Sequence, residues 1–393
     1  MGIEVRPLGV KCNIQCRYCY QEPQRDAGNA RMMYDLPKLK KAVEEAGRAF
    51  TLFGGEPLLA PIPVLRELLE IGLRKYGGTD MQTNGTLIKD AHIELFREFR
   101  VAVGVSVDGP DELNDVRWAG SLAKTREATA KTHAAIKRLC EEGFNPTVII
   151  TLHRGNATAE HLPRMVEWLR ELDAMGVKSA RLHILEVEDD DEARGYALTD
   201  EENIAAFMGF AALEKELKNL SLDVFNDMRN MLAGDDTKAT CIWKACDSYT
   251  TRAVRGIEGN GQSSNCGRTN KDGVDYVKSP QEGFERYISL YHTPYEYGGC
   301  KDCRFFLMCK GQCPGTAIDG DWRNRTRDCR VWLTMYETLE QEALADGQVP
   351  LSLDPVRKQV ENHMLAAWWS GRNPDYYQSV LDARAALAAP QNG

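Results

Sequence analysis

Eleven of the twelve cysteines in this chain fall into two spaced arrays, and any fold it adopts must gather them. The first array is Cys12-x3-Cys16-x2-Cys19, inside VKCNIQCRYCYQE. Three thiolates on one short loop can hold three irons of a four-iron cubane and leave the fourth iron open to another ligand. The second array is Cys241, Cys246 and Cys266, then Cys300-x2-Cys303-x5-Cys309-x3-Cys313, then Cys329. Eight thiolates divide evenly into two four-thiolate clusters. Disulfide staples suit small secreted domains; this chain is far longer than that and opens on no apolar leader. Zinc stays open for the second array, because Cys-x2-Cys pairs also make tetrahedral zinc sites; the first array offers three thiols with no nearby His. Cys140, in AIKRLCEEGF, lies at helical spacing and is expected to be a buried small hydrophobe.

Between and after these arrays, strand-like and helix-like segments alternate. IEVRPLGVK, RAFTLFG, GTDMQTNG, VAVGVSVDG, FNPTVIITLH and SARLHILEVE read as strands. DLPKLKKAVEEAG, PIPVLRELLEIGLRKY, DAHIELFREF, residues 121–142 and AEHLPRMVEWLRELDAMG read as the helices between them. Six β/α units in series predict a parallel sheet with helices outside. At 393 residues a single core is not expected, so two domains plus appendages follow. Residues 200–235 read as helical, and helices with aromatic content (MLAAWWSG, NPDYYQSVLDARAAL) end the chain. A formal charge of −9 with no basic patch argues against nucleic acid as a partner. No apolar run reaches the ~18 residues of a membrane span, so no membrane partner is expected. Many thiols and oxygen-sensitive clusters require a reducing compartment, hence a cytoplasmic location.

CNIQCRYCYQ resembles the signature loop of the radical S-adenosylmethionine (radical SAM) superfamily, C-x3-C-x-aromatic-C, with Tyr18 as the aromatic. The second array resembles the SPASM domain, in which Cys246-x14-Gly261-x4-Cys266 precedes the run from Cys300 to Cys313 and the final Cys329. The resemblance covers residues 1 to about 335 and implies a fold in the α/β class. It is a partial (β/α)6 radical SAM barrel (1–199), a helical bridge (200–238), a small cysteine-rich SPASM domain with a β-hairpin (239–335), and C-terminal helices (336–393). It implies three [4Fe–4S] clusters and S-adenosyl-L-methionine. Cys12, Cys16 and Cys19 would hold the first cluster. Cys241, Cys246, Cys266 and Cys313 would hold the second, and Cys300, Cys303, Cys309 and Cys329 the third.

Function in such a barrel collects where strands end and loops begin. Gly54-Gly55-Glu56-Pro57 follows the second strand and resembles the element that binds the amino group of the methionine moiety, since glycines let backbone approach a ligand closely. Asn84 follows the third strand. Ser106, at the end of the fourth with Asp108 close behind, is a candidate for the cofactor's ribose or carboxylate. Lys131 is a candidate for that carboxylate, against the reading of a solvated helix lysine. Tyr18 would stack near the adenine or plug the loop. No catalytic acid or base is identified.

SPASM proteins mostly modify peptides or proteins. The resemblance therefore implies oxidative modification of a ribosomally made peptide, with a carbon–carbon, carbon–oxygen or thioether crosslink as the expected product. An external one-electron donor such as flavodoxin or ferredoxin would be a partner. The alternatives are a radical dehydrogenase or natural-product enzyme acting on a small molecule, and a formylglycine-forming sulfatase maturase. Formylglycine-forming relatives place an Asp directly after the cysteine of G-x4-C; here that residue is Gly267. Only eleven residues precede Cys12, so a leader peptide would be read by a separate protein, the barrel mouth or the C-terminal helices, or else none is used. The acidic run Glu186–Glu192 follows the sixth strand and is a candidate guide for a basic peptide. Arg181 and His183 alternate with apolar residues on that strand and are expected to face the barrel interior. Tyr249, Arg252 and Arg255 are further candidates for substrate contacts.

Overall fold

The computed structural model describes residues 2–21, 35–186, 191–239, 241–247, 250–251, 255–269, 279 and 281–389, with side chains of 191–193 excepted. Contacts divide the chain into two compact units, Gly2–Asp223 with Arg255–Val277, and Val224–Val254 with Lys278–Gly393.

The first unit is built on one open sheet. Its strands are β1 (Ile3–Arg6), β2 (Phe50–Leu52), β3 (Thr79–Thr83), β4 (Val101–Ser106), β5 (Thr147–Leu152), β6 (Ser179–Ile184), β7 (Ser221–Leu222), β8 (Arg255–Glu258) and β9 (Ser263–Ser264). The order is β7-β6-β5-β4-β3-β2-β1-β8-β9, parallel throughout except for the antiparallel β8–β9 pair. Between the first six strands run α1 (Leu36–Glu45), α2 (Ile62–Tyr76), α3 (Asp90–Glu98), α4 (Leu122–Glu141) and α5 (Leu162–Met175). Then come α6 (Asp191–Tyr196) and α7 (Asp200–Glu214). The six β/α units read from the sequence are thus present in chain order, and the sheet is a partial barrel.

Each helix forms because an apolar stripe faces the strands. On α2, Leu65, Leu68 and Leu69 have no exposed surface, and burying each contributes ~1.5–3 kcal/mol. The helix stops at Gly77, whose φ of 78° is left-handed and cheap only for glycine. The strands alternate to match: on β5, Val148, Ile150 and Leu152 are buried. The opposite face follows from register. Glu4 pairs with Thr51, Thr51 with Asp80, and Asp80 with Ala102. Further along, Gln82 pairs with Gly104, Gly104 with Thr147, Ser106 with Ile149, Ile149 with Arg181, and Thr151 with His183. Partners in register share a face, so the face turned away from the apolar stripe is polar. Arg181 and His183 lie on it, as expected.

The hairpin expected within the cysteine-rich segment extends this sheet instead. β8 pairs in parallel with β1, from Ile3↔Arg255 to Arg6↔Glu258. The physical reason is charge. Arg6 is 1% exposed and reaches Glu258 at 3.2 Å, Ser264 Oγ at 3.3 Å and the Asn265 carbonyl at 2.5 Å. A buried guanidinium needs such partners, and the hairpin supplies all three.

The second unit contains the remaining helices: α8 (Asp223–Ala233), α9 (Glu285–His292), α10 (Phe306–Cys309), α11 (Cys329–Ala345), α12 (Arg357–Trp369) and α13 (Tyr376–Ala388). Its core is aromatic. The Trp368 ring lies 5.2 Å from Tyr287 and 6.3 Å from Phe284 and Phe306, and Phe305 stacks on Tyr336 at 5.3 Å. Arg286 is fully buried and donates to the carbonyls of Lys310, Gly311, Gln312, Trp322 and Asn324. It knits the turn between Cys309 and Cys313, whose residues Lys310, Gly311 and Gln312 all have positive φ.

Candidate functional site

The loops after β1 to β6 all leave from the same edge of the parallel sheet, so the motifs they carry converge. The Cys12–Cys19 loop follows β1. Cys12, Cys16 and Cys19 are half-buried, and burial, resisted by Arg117 and reinforced by the other two thiols, pushes Cys16 up to about 12. An unligated Cys16 is therefore a neutral thiol at pH 7, and taking up metal there would release a proton. Three close thiols on one loop fit a cluster that keeps one iron open.

Gly54 and Gly55 lie under this loop. A Cβ on Gly55 would stand 2.2 Å from the Lys11 carbonyl oxygen, and one on Gly54 would stand 2.5 Å from that of Gly9. The Gly55 and Glu56 amides donate to those same two carbonyls at 3.1 and 2.8 Å. The glycines thus let the two loops seat backbone on backbone. The buried Glu56 side chain turns away from any ligand role: it accepts from Leu58 N (3.0 Å), Thr83 Oγ1 (2.7 Å) and Asn84 N (2.8 Å). Burial raises its carboxyl above 4.5 against those three bonds. Asn84 donates from Nδ2 to Asn13 Oδ1 at 2.8 Å and approaches Cys12 Sγ at 3.8 Å, so the third loop also touches the cysteine loop.

The loop after β4 completes the group. Asp108 is fully buried and accepts from Tyr18 Oη at 2.5 Å and Thr151 N at 3.0 Å, with His153 Nε2 at 3.6 Å. Burial would raise its carboxyl; the nearby His153 ring, the Arg117 charge and the Tyr18 hydroxyl hold it below 3.8 instead. Tyr18 also accepts from Arg117 Nη1 at 3.1 Å. Asn114 and Asn156 fix the Asp108 backbone, at its amide and carbonyl respectively. Ser106 is half-buried and accepts from Gln82 Nε2 at 2.8 Å on the polar face of the sheet.

Lys131 stands apart from this group. It is exposed on α4 and pairs with Glu127 one turn away at 2.6 Å. This favours the solvated-lysine reading over a carboxylate contact. Cys140, at the end of α4, is half-buried rather than buried.

At the far edge, Glu186 is buried and pairs with Arg268 at 2.7 Å. It is therefore part of an internal ion pair, not of a solvated acidic face. Residues 187–190 of the acidic run lie outside the described residues, as do Tyr249 and Arg252. Arg255 is half-buried on β8. Arg268 also donates to His183 Nδ1 at 2.8 Å, and burial, then the Arg268 and Arg181 charges, hold His183 well below its ordinary value. A Cβ on Gly267 would stand 2.9 Å from Tyr20 Cε2, so Tyr20 fills the space beside that position.

Cys266 is half-buried just beyond β9 in the first unit. In the second unit, Cys241 and Cys313 are half-buried and Cys246 is buried. Cys300, Cys303, Cys309 and Cys329 lie close together there: burial pushes Cys309 up, and the charges of the other three add to it. Among the described residues, no three His, Cys, Asp or Glu side chains converge at the separation a single ion needs.

Residues 7–183 match the family model of the radical SAM superfamily. This chain carries a radical SAM domain. Such a domain uses a [4Fe–4S] cluster and S-adenosylmethionine, and a chain that carries it is an enzyme. It is 24% identical over 352 residues to the serine-type anaerobic sulfatase-maturating enzyme of Bacteroides thetaiotaomicron, covering 79% of this chain and 82% of that protein. It is 24% identical over 373 residues to the cysteine-type enzyme of Clostridium novyi, covering 86% and 94%. Among solved structures it resembles native anSMEcpe with bound AdoMet and the Cp18Cys peptide, with a TM-score of 0.61, 19% identity, and coverage of 88% and 97%. It also resembles Streptococcus suis SuiB bound to precursor peptide SuiA, with a TM-score of 0.54, 15% identity, and coverage of 84% and 75%. No helix among the described residues is long and apolar enough to cross a membrane.

Sequence reading missed Arg117, His153 and Tyr20 in the radical SAM domain, and Arg268 beyond it. Arg268 follows Cys266 by two residues, which is a signal of proximity to the second array. Nothing in the spacing of Arg117 or His153 ties either to Cys16 or Asp108.

Proposed function

We propose that this radical SAM enzyme oxidises a side chain of a peptide or protein. The observation that carries the reading is the match over 88% of the chain to a solved structure with AdoMet and a peptide bound. When bound, the cluster and S-adenosylmethionine supply a 5′-deoxyadenosyl radical, which takes a hydrogen atom from the substrate. Cys12, Cys16 and Cys19 would hold that cluster. Gly54, Gly55 and Asn84 would shape the cofactor's seat, with Tyr18 and Ser106 at its rim.

An oxidised product requires a second electron to leave the substrate. The crowding of Cys300, Cys303, Cys309 and Cys329 supports a cluster on these four thiolates, and the sequence pattern supports a further one on Cys241, Cys246, Cys266 and Cys313. Full thiolate ligation suits electron transfer rather than substrate binding.

Two products remain in view. The sulfatase-maturating relatives favour formylglycine. Gly267 with Tyr20 beside it favours a crosslink, because that position offers no carboxylate to remove a proton. Incubating the reconstituted enzyme with a sulfatase peptide carrying Ser or Cys, then with a hydrazine probe, separates them by mass spectrometry. A hydrazone-forming aldehyde establishes formylglycine chemistry and overturns the crosslink reading. No change in sulfatase peptides, with a loss of two hydrogens and no aldehyde in a precursor-type peptide, supports the crosslink. Failure to oxidise any peptide while cofactor cleavage persists would move the substrate to small molecules.

A further inference from the structure

The cysteine loop is strapped by the segment after β4. The Gln15 amide donates to the Trp118 carbonyl at 2.7 Å, and the Arg17 amide donates to the Val116 carbonyl at 3.0 Å. These two rungs set an antiparallel register in which Cys16 stands directly opposite Arg117. The strap is reinforced at both ends. The Arg17 guanidinium lies 4.3 Å over the Trp118 ring, and Asp115 is held by Arg126 through bonds of 2.5 and 2.6 Å. Arg117 itself is fixed by its bond to Tyr18 Oη, which is anchored on buried Asp108. A cation is therefore held in one place across from the middle thiol of the array.

We propose that Arg117 is a positioning residue that supplies the fixed positive charge facing the Cys16 side of the cluster and raises its reduction potential. This rests on the reading that Cys16 is a cluster ligand. Reduction adds one electron, supplied by an external reductant, and no proton at Arg117. The cluster gains one negative charge, and a nearby guanidinium favours the more negative state. Asp108 opposes this cation at Cys16 but acts there more weakly than Arg117, and the Tyr18 hydroxyl bonds to both.

The test is a potentiometric titration of the reconstituted full chain, followed by electron paramagnetic resonance. The signal read is the one that changes when S-adenosylmethionine is added, which separates this cluster from any other. In Arg117→Met the ratio of reduced to oxidised cluster at the wild-type midpoint should fall at least tenfold, a shift of ~59 mV for one electron. In Arg117→Lys, which keeps the charge, it should change less than threefold. An unshifted Met variant, or Lys and Met variants shifted alike, overturns the proposal. If the Met variant loses its iron, the Lys variant decides: a wild-type midpoint supports the charge, and a tenfold shift or loss of the signal in both overturns it. A wild-type protein with no cofactor-responsive signal, or a Cys16→Ala variant that keeps one, would overturn the ligand assignment instead.

Discussion

Adding one methyl group at Gly55 should disable the radical SAM domain without unfolding it. The Cβ of Gly55→Ala would stand 2.2 Å from the Lys11 carbonyl oxygen, 2.4 Å from its carbon and 2.5 Å from the Val10 oxygen. Ordinary contact begins near 3.4 Å, so the two loops must part by about 1 Å. Neither can yield alone, because the Lys11 carbonyl also accepts the Glu56 amide at 2.8 Å. Overpacking of this kind costs ~1–3 kcal/mol. Its effect on chemistry should be larger, since a displacement of ~1 Å in positioning groups can cost ~100-fold in rate. The assay is 5′-deoxyadenosine formation from S-adenosylmethionine with dithionite as reductant, beside urea unfolding. Gly143→Ala is the control. Its φ is 79°, with nothing within 4 Å of the added carbon, so it carries backbone strain of ~1–2 kcal/mol and no clash. A Gly55→Ala enzyme that cleaves the cofactor as fast as the Gly143→Ala control would refute the seating argument.

Other outcomes follow from the same geometry. Lys131→Met should change S-adenosylmethionine affinity less than twofold in a binding titration and cost under ~1 kcal/mol, because its pair with Glu127 is exposed; a tenfold loss would restore it to the cofactor site. Burial holds the Glu56 carboxyl above 4.5, so the native state binds the extra proton between 4.5 and its folded value, and stability declines as pH rises through that window. Glu56→Gln should flatten that decline in urea titrations from pH 4.5 upward; an unchanged slope would mean that the carboxyl titrates normally. Trp368→Ala should destabilise the second unit by ~3–5 kcal/mol, since the ring is 1% exposed and flanked by Tyr287, Phe284 and Phe306; a loss below ~1 kcal/mol by urea unfolding would show that the site collapses around the gap.

Much of the barrel was legible because its information is local. The six strands carry their own period-two alternation, the helices their own stripes, and parallel β/α units tend to pair in chain order. The cysteine loop, Gly54-Gly55 and Asn84 were legible as strand-end residues for the same reason. What escaped depends on register between distant loops. That Arg117 faces Cys16 is decided by two backbone bonds joining residues about a hundred positions apart. That Glu186 points inward is decided by Arg268, which the acidic run around Glu186 conceals. Lys131 was ambiguous because a helix lysine can face solvent or site, and its exposed pair with Glu127 one turn earlier could not be read from spacing alone.

The parallel pairing of β1 with β8 bears on how the chain is made. Ile3 emerges from the ribosome well before its partner Arg255, which follows 252 residues later. Until then β1 is an open edge, the kind of strand on which nascent chains aggregate. Arg6 meanwhile has neither Glu258 nor the Asn265 carbonyl to bond. A fragment ending near residue 199, though it holds all six β/α units, would therefore leave β1 an open edge and Arg6 without its hairpin partners, and should fold poorly. The cysteine loop follows directly from β1, so iron delivered before residue 258 is translated would meet a strand that is not yet locked. Cluster insertion is thus expected to be a late event, gated by completion of the hairpin rather than by synthesis of the three cysteines.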